Sequence, residues 1–170
     1  MNSIVSPNIT LRSPERGDGA ALHTLVAECS PLDENSLYCN LLQATHFADT
    51  CIAAEQAGLL VGFISAYLVP GRPETLFVWQ VAVGVKARGQ GLATRMLDGL
   101  LGRPRCRGVT HLETTVTASN EASWALFEGF ARKHGAPLLR TTLFDRDADF
   151  DGAHDSEILA RIGPLATVAA

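Results

Sequence analysis

The segment from Leu76 to Ala93, LFVWQVAVGVKARGQGLA, constrains the fold more than any other part of the chain. Leu76 to Val83 is apolar and rich in β-branched residues, which is the composition of a buried strand. The run stops at Gly84. A short basic link leads into Arg88-Gly89-Gln90-Gly91-Leu92-Ala93, after which Met96, Leu97, Leu100 and Leu101 recur at helical spacing. A strand feeding a glycine-rich turn that opens a helix builds an anion site, because the unpaired N–H groups and the dipole of the first helical turn point at whatever sits there. Gly89 and Gly91 let the backbone approach a phosphate where a Cβ would clash. A P-loop needs Lys and then Ser or Thr after its last glycine, but Leu92-Ala93 stands there; a Rossmann turn needs a third glycine where the chain has Thr94. The remaining pattern is Arg/Gln-x-x-Gly-x-Gly/Ala, met by Arg88, Gly91 and Ala93. An ordinary strand-to-helix turn is the alternative.

The length of 170 residues predicts one domain with a sizeable core. With 46% hydrophobic and 19% charged residues the composition is that of a soluble globule, and a net charge of −4 argues against a general nucleic-acid surface. No apolar run is long enough to span a membrane, and the start MNSIVSPNITLRSPERGDG does not read as a signal peptide. Cys29, Cys39, Cys51 and Cys106 are far apart, which argues against a metal centre and, in a chain expected in the cytoplasm, against disulfides.

The elements expected along the chain form one mixed α/β structure. Asn8 to Arg12 reads as a strand, Gly17 to Cys29 as a helix, and Ser36 to Phe47 as a second helix with Ser36 as N-cap. Cys51 to Ala54 and Leu59 to Leu68 read as strands joined by a turn at Gln56-Ala57-Gly58. Pro70 to Pro73 reads as a rigid loop before the Leu76 strand. Val109 to Thr117 is a strand, and a helix capped by Ser119 runs to His134. Leu138 to Phe144 and Glu157 to Ile162 are late strands around an acidic loop, Asp145 to Gly152.

The order of these elements, the Arg88 to Ala93 turn and the later Asn120-x-x-Ser123-Trp124-x-Leu126-Phe127 resemble the GNAT acetyltransferases over essentially the whole chain, with a core at about 8–163. The resemblance implies one α/β domain with a mixed, mostly antiparallel sheet, helices on both faces and two splayed central strands. It implies acetyl-CoA as co-substrate and no metal. Val81, Ala82 and Val83 would hold pantetheine through backbone groups, and Arg88, Gly89, Gln90, Gly91, Leu92 and Ala93 would hold the pyrophosphate. Asn120, Ser123 and Phe127 would line the other side of the coenzyme. Many members of the family carry a thiolate-protonating Tyr where this chain has Phe127, so Tyr38 and His154 are the candidate donors in its place.

Five further segments, LDENSLYCNLLQATHF, TLFVWQVAV, RGQGLATRML, HLETTVTASNEASWALF and GAHDSE with a later RIGP, resemble the L-2,4-diaminobutyrate acetyltransferase branch of that family. This implies transfer of acetyl to the 4-amino group of diaminobutyrate, a step of ectoine biosynthesis in osmoadaptation, by direct attack in a ternary complex. The amine has an intrinsic pKa of about 10, so a base is required; Glu113 is the candidate, with an N–H near Val81 facing the oxyanion. Asp33, Asp155 and Glu157 are candidates for the substrate's ammonium groups, Trp79 for a π wall, and Ser36 among others for its carboxylate.

Each of these residues also has a plainer reading: Asp33 as a turn residue, Trp79 and Tyr38 as core, Glu113 as an outward strand residue, His154 and Glu157 as surface groups, and Ser36 as a cap only. Two wider alternatives stay open, a coenzyme A-binding sensor without catalysis, suggested by Phe127, and an acetyltransferase for another small diamine. Family members of this size often dimerise, and Leu159 to Val168 is an apolar candidate for such an interface.

Overall fold

The computed structural model of the protein describes residues 8–166. The strands are β1 (Thr10–Arg12), β2 (Ile52–Gln56), β3 (Leu59–Val69), β4 (Arg72–Val83), β5 (His111–Thr117), β6 (Leu138–Phe144) and β7 (Glu157–Ile162). The helices are α1 (Gly19–Ala27), α2 (Leu37–Gln43), α3 (Leu92–Leu101) and α4 (Glu121–Lys133). The seven strands form one sheet in the order β1-β2-β3-β4-β5-β7-β6. It is mixed, because β4 and β5 run parallel while β1–β2, β2–β3, β5–β7 and β6–β7 are antiparallel. The parallel ladder joins only Thr75–Phe77 to His111–Glu113, although both strands continue past it. Past Phe77, β4 therefore has no ladder to β5 among the described residues.

The chain divides into two compact units: residues up to Ser65 with Gln80–Arg103, and Ala66–Trp79 with residues from Pro104 onward. In the first unit Leu22, Leu25, Val26, Cys29, Ala44, Cys51, Phe63 and Ala82 pack into a buried cluster, with Leu32 and Leu60 against its rim. Burial of side chains of this kind is the main favourable term in folding. A side chain at Gly19 would collide with that of Leu41, so Leu41 of α2 packs directly on the start of α1. The β2–β3 turn has Ala57 and Gly58 both at positive φ, the geometry of a tight two-residue hairpin.

In the second unit β5 pairs with β7 from Leu112↔Ile162 to Thr117↔Glu157, and β6 pairs with the other edge of β7. Side chains alternate along a strand, and cross-strand partners share a face. Glu113, Thr115 and Thr117 therefore lie on one face with Arg161, Leu159 and Glu157. Trp124 of α4 is buried, donates its indole N–H to the carbonyl of Thr117, and lies under the Arg140 guanidinium 3.8 Å away.

Four expectations need correction. Pro70 to Pro73 is not a loop before the strand: β4 starts at Arg72, because Pro70-Gly71 alone turns the chain, with Gly71 at φ +78°. The second helix stops at Gln43, four residues before Phe47, and a 3₁₀ turn follows at Ala48–Thr50. The cap of α4 is Asn120 rather than Ser119, since the Asn120 Oδ1 accepts the Ser123 N–H at 3.1 Å. The first strand is limited to Thr10–Arg12. The apolar segment expected at an interface, 159–168, extends beyond the described residues.

Candidate active site

In the first unit the strand-to-turn segment ends in a preformed anion cradle. Gly89 and Gly91 sit at φ +72° and +69°, which favours glycine, and nothing stands within 4 Å of where a Cβ would project from either. Gly91 is the N-cap of α3, its carbonyl accepting the Arg95 N–H, so the N–H groups of Leu92, Ala93 and the next residue open the helix without intrahelical acceptors. Leu92 is buried and roots the helix in the core, whereas Gln90 is exposed and bonds back to the Lys86 carbonyl. The Arg88 Nε donates to the Val83 carbonyl at 2.9 Å, which anchors an exposed guanidinium at the strand's end. Ala82 points into the core while Val81 and Val83 face outward, half-buried. Open space above two glycines, free helix N–H groups and one anchored cation fit the pyrophosphate of coenzyme A.

The same unit holds Asp33, Ser36 and Tyr38. Asp33 is exposed, and its backbone carbonyl accepts a hydrogen bond from the Gln80 side chain. Ser36 Oγ caps α2 by accepting the Cys39 N–H at 3.1 Å. Tyr38 is 71% exposed, so the core reading does not hold.

The second unit contains a cavity of about 570 Å³ lined by Tyr67, Phe77, Trp79, Thr115, Phe144, Asp149, Phe150 and Glu157. Trp79 is 48% exposed and forms part of this wall rather than packing into the core. The Tyr67 and Phe77 rings lie 5.2 Å apart. Burial, and then the charge of Glu113, raise the Tyr67 pKa and keep its phenol protonated. Asp149 and Glu157 bring two carboxylates to this aromatic box. The His154 ring meets Phe150 at a tilt of 43° with centroids 4.8 Å apart, and its Nε2 lies 4.0 Å from Glu157 Oε1. Its Nδ1 is 2.7 Å from the Asp155 carbonyl, an acceptor, so Nδ1 carries the proton in that contact. Asp155 is exposed; it lies 3.7 Å from Arg146 and lines a smaller polar hollow with His154. Asn120 spends its Oδ1 on the α4 cap, Ser123 supplies the capped N–H, and Phe127 is 3% exposed.

Glu113 is 2% exposed and is not an outward strand residue. Arg72 grips it with two bonds, Nη1 to Oε1 at 2.7 Å and Nη2 to Oε2 at 2.9 Å, and Arg161 donates to Oε1 as well. The Arg72 contact first, with help from Arg161, holds its pKa below the usual carboxylate range against the opposing effect of burial. A carboxylate with both oxygens occupied and its basicity lowered is a poor proton acceptor. That geometry speaks against the expectation that Glu113 is the general base.

Tyr67, Asp149 and Phe150 escaped the reading of the sequence. Strand alternation offers a signal for Tyr67, which is an aromatic on the less buried part of an otherwise apolar strand. Asp149 and Phe150 sit in a twelve-residue loop whose path no periodicity reveals.

The model of the Acetyltransferase (GNAT) family matches residues 20–131. L-2,4-diaminobutyric acid acetyltransferase of Methylotuvimicrobium alcaliphilum is 52% identical over 164 residues, covering 96% of this chain and 95% of that protein. The same enzyme of Bordetella parapertussis is 55% identical over 157 residues, covering 91% and 84%. The solved structure of Paenibacillus lautus diaminobutyrate acetyltransferase, in complex with L-2,4-diaminobutyric acid and coenzyme A, superposes with a TM-score of 0.89 at 43% identity, covering 96% of this chain and 99% of that one. The glycine cradle, the mixed sheet and these relatives agree: the chain belongs to the GNAT acetyltransferase family and, within it, to the diaminobutyrate acetyltransferases.

Proposed function

We infer that the protein transfers the acetyl group of acetyl-CoA to the 4-amino group of L-2,4-diaminobutyrate, and that it serves ectoine biosynthesis in the cytoplasm as a homodimer. The observation that carries the acceptor assignment is the cavity of the second unit, where aromatic walls and two carboxylates suit a small molecule with two ammonium groups.

Acetyl-CoA supplies an activated acetyl thioester. In the first unit, Arg88 and the N–H groups from Gly89 to Ala93 bind its diphosphate, while the backbone of Val81 to Val83 holds the pantetheine arm and the Val81 N–H meets the developing oxyanion. In the second unit Asn120, with an amide nitrogen that the cap does not use, and Ser123 and Phe127 on the first two turns of α4 are the proposed coenzyme contacts. In the second unit, Asp149 and Glu157 hold the ammonium groups and Trp79 covers the alkyl chain. Asp33 and Ser36, which belong to the first unit, are the proposed ligands of a substrate ammonium group and of its carboxylate, and Asp155 keeps the His154 loop in shape.

The reacting amine must give up a proton before it can attack. Glu157 takes it, with His154 4.0 Å behind as its route outward. The C–N bond then forms, the C–S bond breaks and the thiolate takes up a proton, while the nitrogen gives up its second proton, which restores the group that protonated the thiolate. Tyr67 takes the place of both Tyr38 and His154 as the proposed donor for that step, because it carries a hydroxyl in the wall of the cavity, which buried Phe127 lacks. Glu113 acts differently: it binds the two arginines together at the last rung of the β4–β5 ladder and keeps the strands in register where they begin to part.

Comparing turnover on diaminobutyrate, ornithine, lysine and putrescine tests the acceptor. The highest kcat/KM is expected on diaminobutyrate, and equal efficiency on putrescine, which has no carboxylate, would contradict the assignment. Replacing Arg88 with alanine is expected to raise the KM for acetyl-CoA about tenfold, by loss of charge-assisted phosphate contacts, and to leave the diaminobutyrate KM within about twofold. An unchanged acetyl-CoA KM removes Arg88 from the site.

A further inference from the structure

The buried face of β4 presents Leu76, Val78, Gln80 and Ala82. Three are apolar, and Gln80, 6% exposed, is the exception. Burying a primary amide is costly unless its polar ends find partners. Both ends do, and both partners lie on the segment between α1 and α2. Gln80 Nε2 donates to the Asp33 carbonyl at 2.7 Å, and Gln80 Oε1 accepts from Asn35 Nδ2 at 2.6 Å. The segment is anchored at one end by Leu32, packed on the core cluster, and at the other by Ser36, which caps α2. Between these anchors Asp33 and Glu34 are exposed, so the arch is fixed in its middle by one side chain of the sheet. The residue making that clasp directly follows Trp79 in β4.

We propose that Gln80 is a positioning residue for the acceptor substrate, its amide clasping the Asp33–Asn35 arch so that the Asp33 carboxylate is held where it meets an ammonium group. This rests on the reading of Asp33 as an acceptor ligand. Stability alone does not require the clasp, because leucine fills the same position on an apolar face and the partners it would release, the Asp33 carbonyl and the half-buried Asn35 amide, can turn to water. A glutamine here exchanges an easily buried side chain for one whose value lies in where it holds the loop.

The test uses Gln80→Leu, Asn35→Ala and the double variant of the full-length protein. Gln80→Leu is expected to raise the KM for diaminobutyrate about tenfold through loss of two hydrogen bonds, with the acetyl-CoA KM within about twofold. Asn35→Ala should act in the same direction but less, and the double variant should be no worse than Gln80→Leu alone, since both changes break one clasp. In the ligand-free protein the backbone amides of Cys39 and Asn40, which donate to the Ser36 hydroxyl and carbonyl at the end of the arch, should exchange at least about tenfold faster in Gln80→Leu, with α4 unaffected. Parallel rises in both KM values with a falling thermal midpoint would mean a general structural role and overturn the proposal. Faster exchange without a change in diaminobutyrate KM would overturn it too, and unchanged exchange would refute the clasp itself. The exchange measurement needs no substrate, so a wild-type protein that fails to acetylate diaminobutyrate would sink the functional reading and leave the clasp separately judged.

Discussion

Glu113→Gln is expected to lower the thermal midpoint by roughly 3–10 °C and to keep kcat on diaminobutyrate within about tenfold of wild type. Glutamine cannot neutralise Arg72 and Arg161, so two guanidiniums would face each other across a buried site. Breaking a buried ion pair by removing one partner can cost several kcal/mol, but both arginines keep contact with water, so roughly 1–3 kcal/mol is the appropriate scale. For a chain of this size each kcal/mol corresponds to about 2–4 °C. The effect also has a pH signature. The folded-state pKa of Glu113 is depressed, so its stabilising contribution is complete above the ordinary carboxylate pKa of about 4.3 and fades as pH falls through the lower folded value. The gap between wild type and variant should therefore hold at neutral pH and close on acidification below about 4. Thermal melts at several pH values and steady-state kinetics decide the matter. A fall in kcat of about 10²–10⁴ with an unchanged midpoint would restore Glu113 as the base.

The second large effect is expected at Glu157. Glu157→Gln removes the proposed proton acceptor while keeping the size of the side chain and its place in the cavity wall. It should cut kcat on diaminobutyrate by about 10²–10³, in the range for loss of a general base, with the acetyl-CoA KM within about twofold. Raising the pH should recover part of the loss, because more of the amine then arrives neutral. A wild-type rate at neutral pH would remove Glu157 from proton transfer.

The contrast between these two carboxylates shows where reading the sequence reached its limit. The β4–turn–α3 segment was legible because a strand, two glycines and a helical repeat are local patterns, and the structure keeps each of them. The strands were legible one by one, but their order in the sheet was not, because β7 inserts between β5 and β6. Glu113 was recognisable as a carboxylate in a strand, but its partners are 41 and 48 residues away, and only the β5–β7 register puts Arg161 opposite it. That register ties the candidate base to two arginines. The cap of α4 fell one residue away from its expected position because Ser119 and Asn120 are both good caps and only backbone geometry chooses between them. The cavity we propose for the acceptor was half legible. Trp79 and Glu157 stood out as an aromatic and an acid beside strand patterns, whereas Tyr67, Asp149 and Phe150 join them through strand alternation and the path of one irregular loop.

Mixing the protein with acetyl-CoA, and then adding diaminobutyrate while following free thiol, tests the acetyl transfer most directly. Thiol should appear only after diaminobutyrate is added, one equivalent for each acetylated product, with the acetyl group on the 4-amino nitrogen by NMR. Tight binding of acetyl-CoA without diaminobutyrate-dependent thiol release would contradict it and leave a coenzyme A-binding protein without this activity.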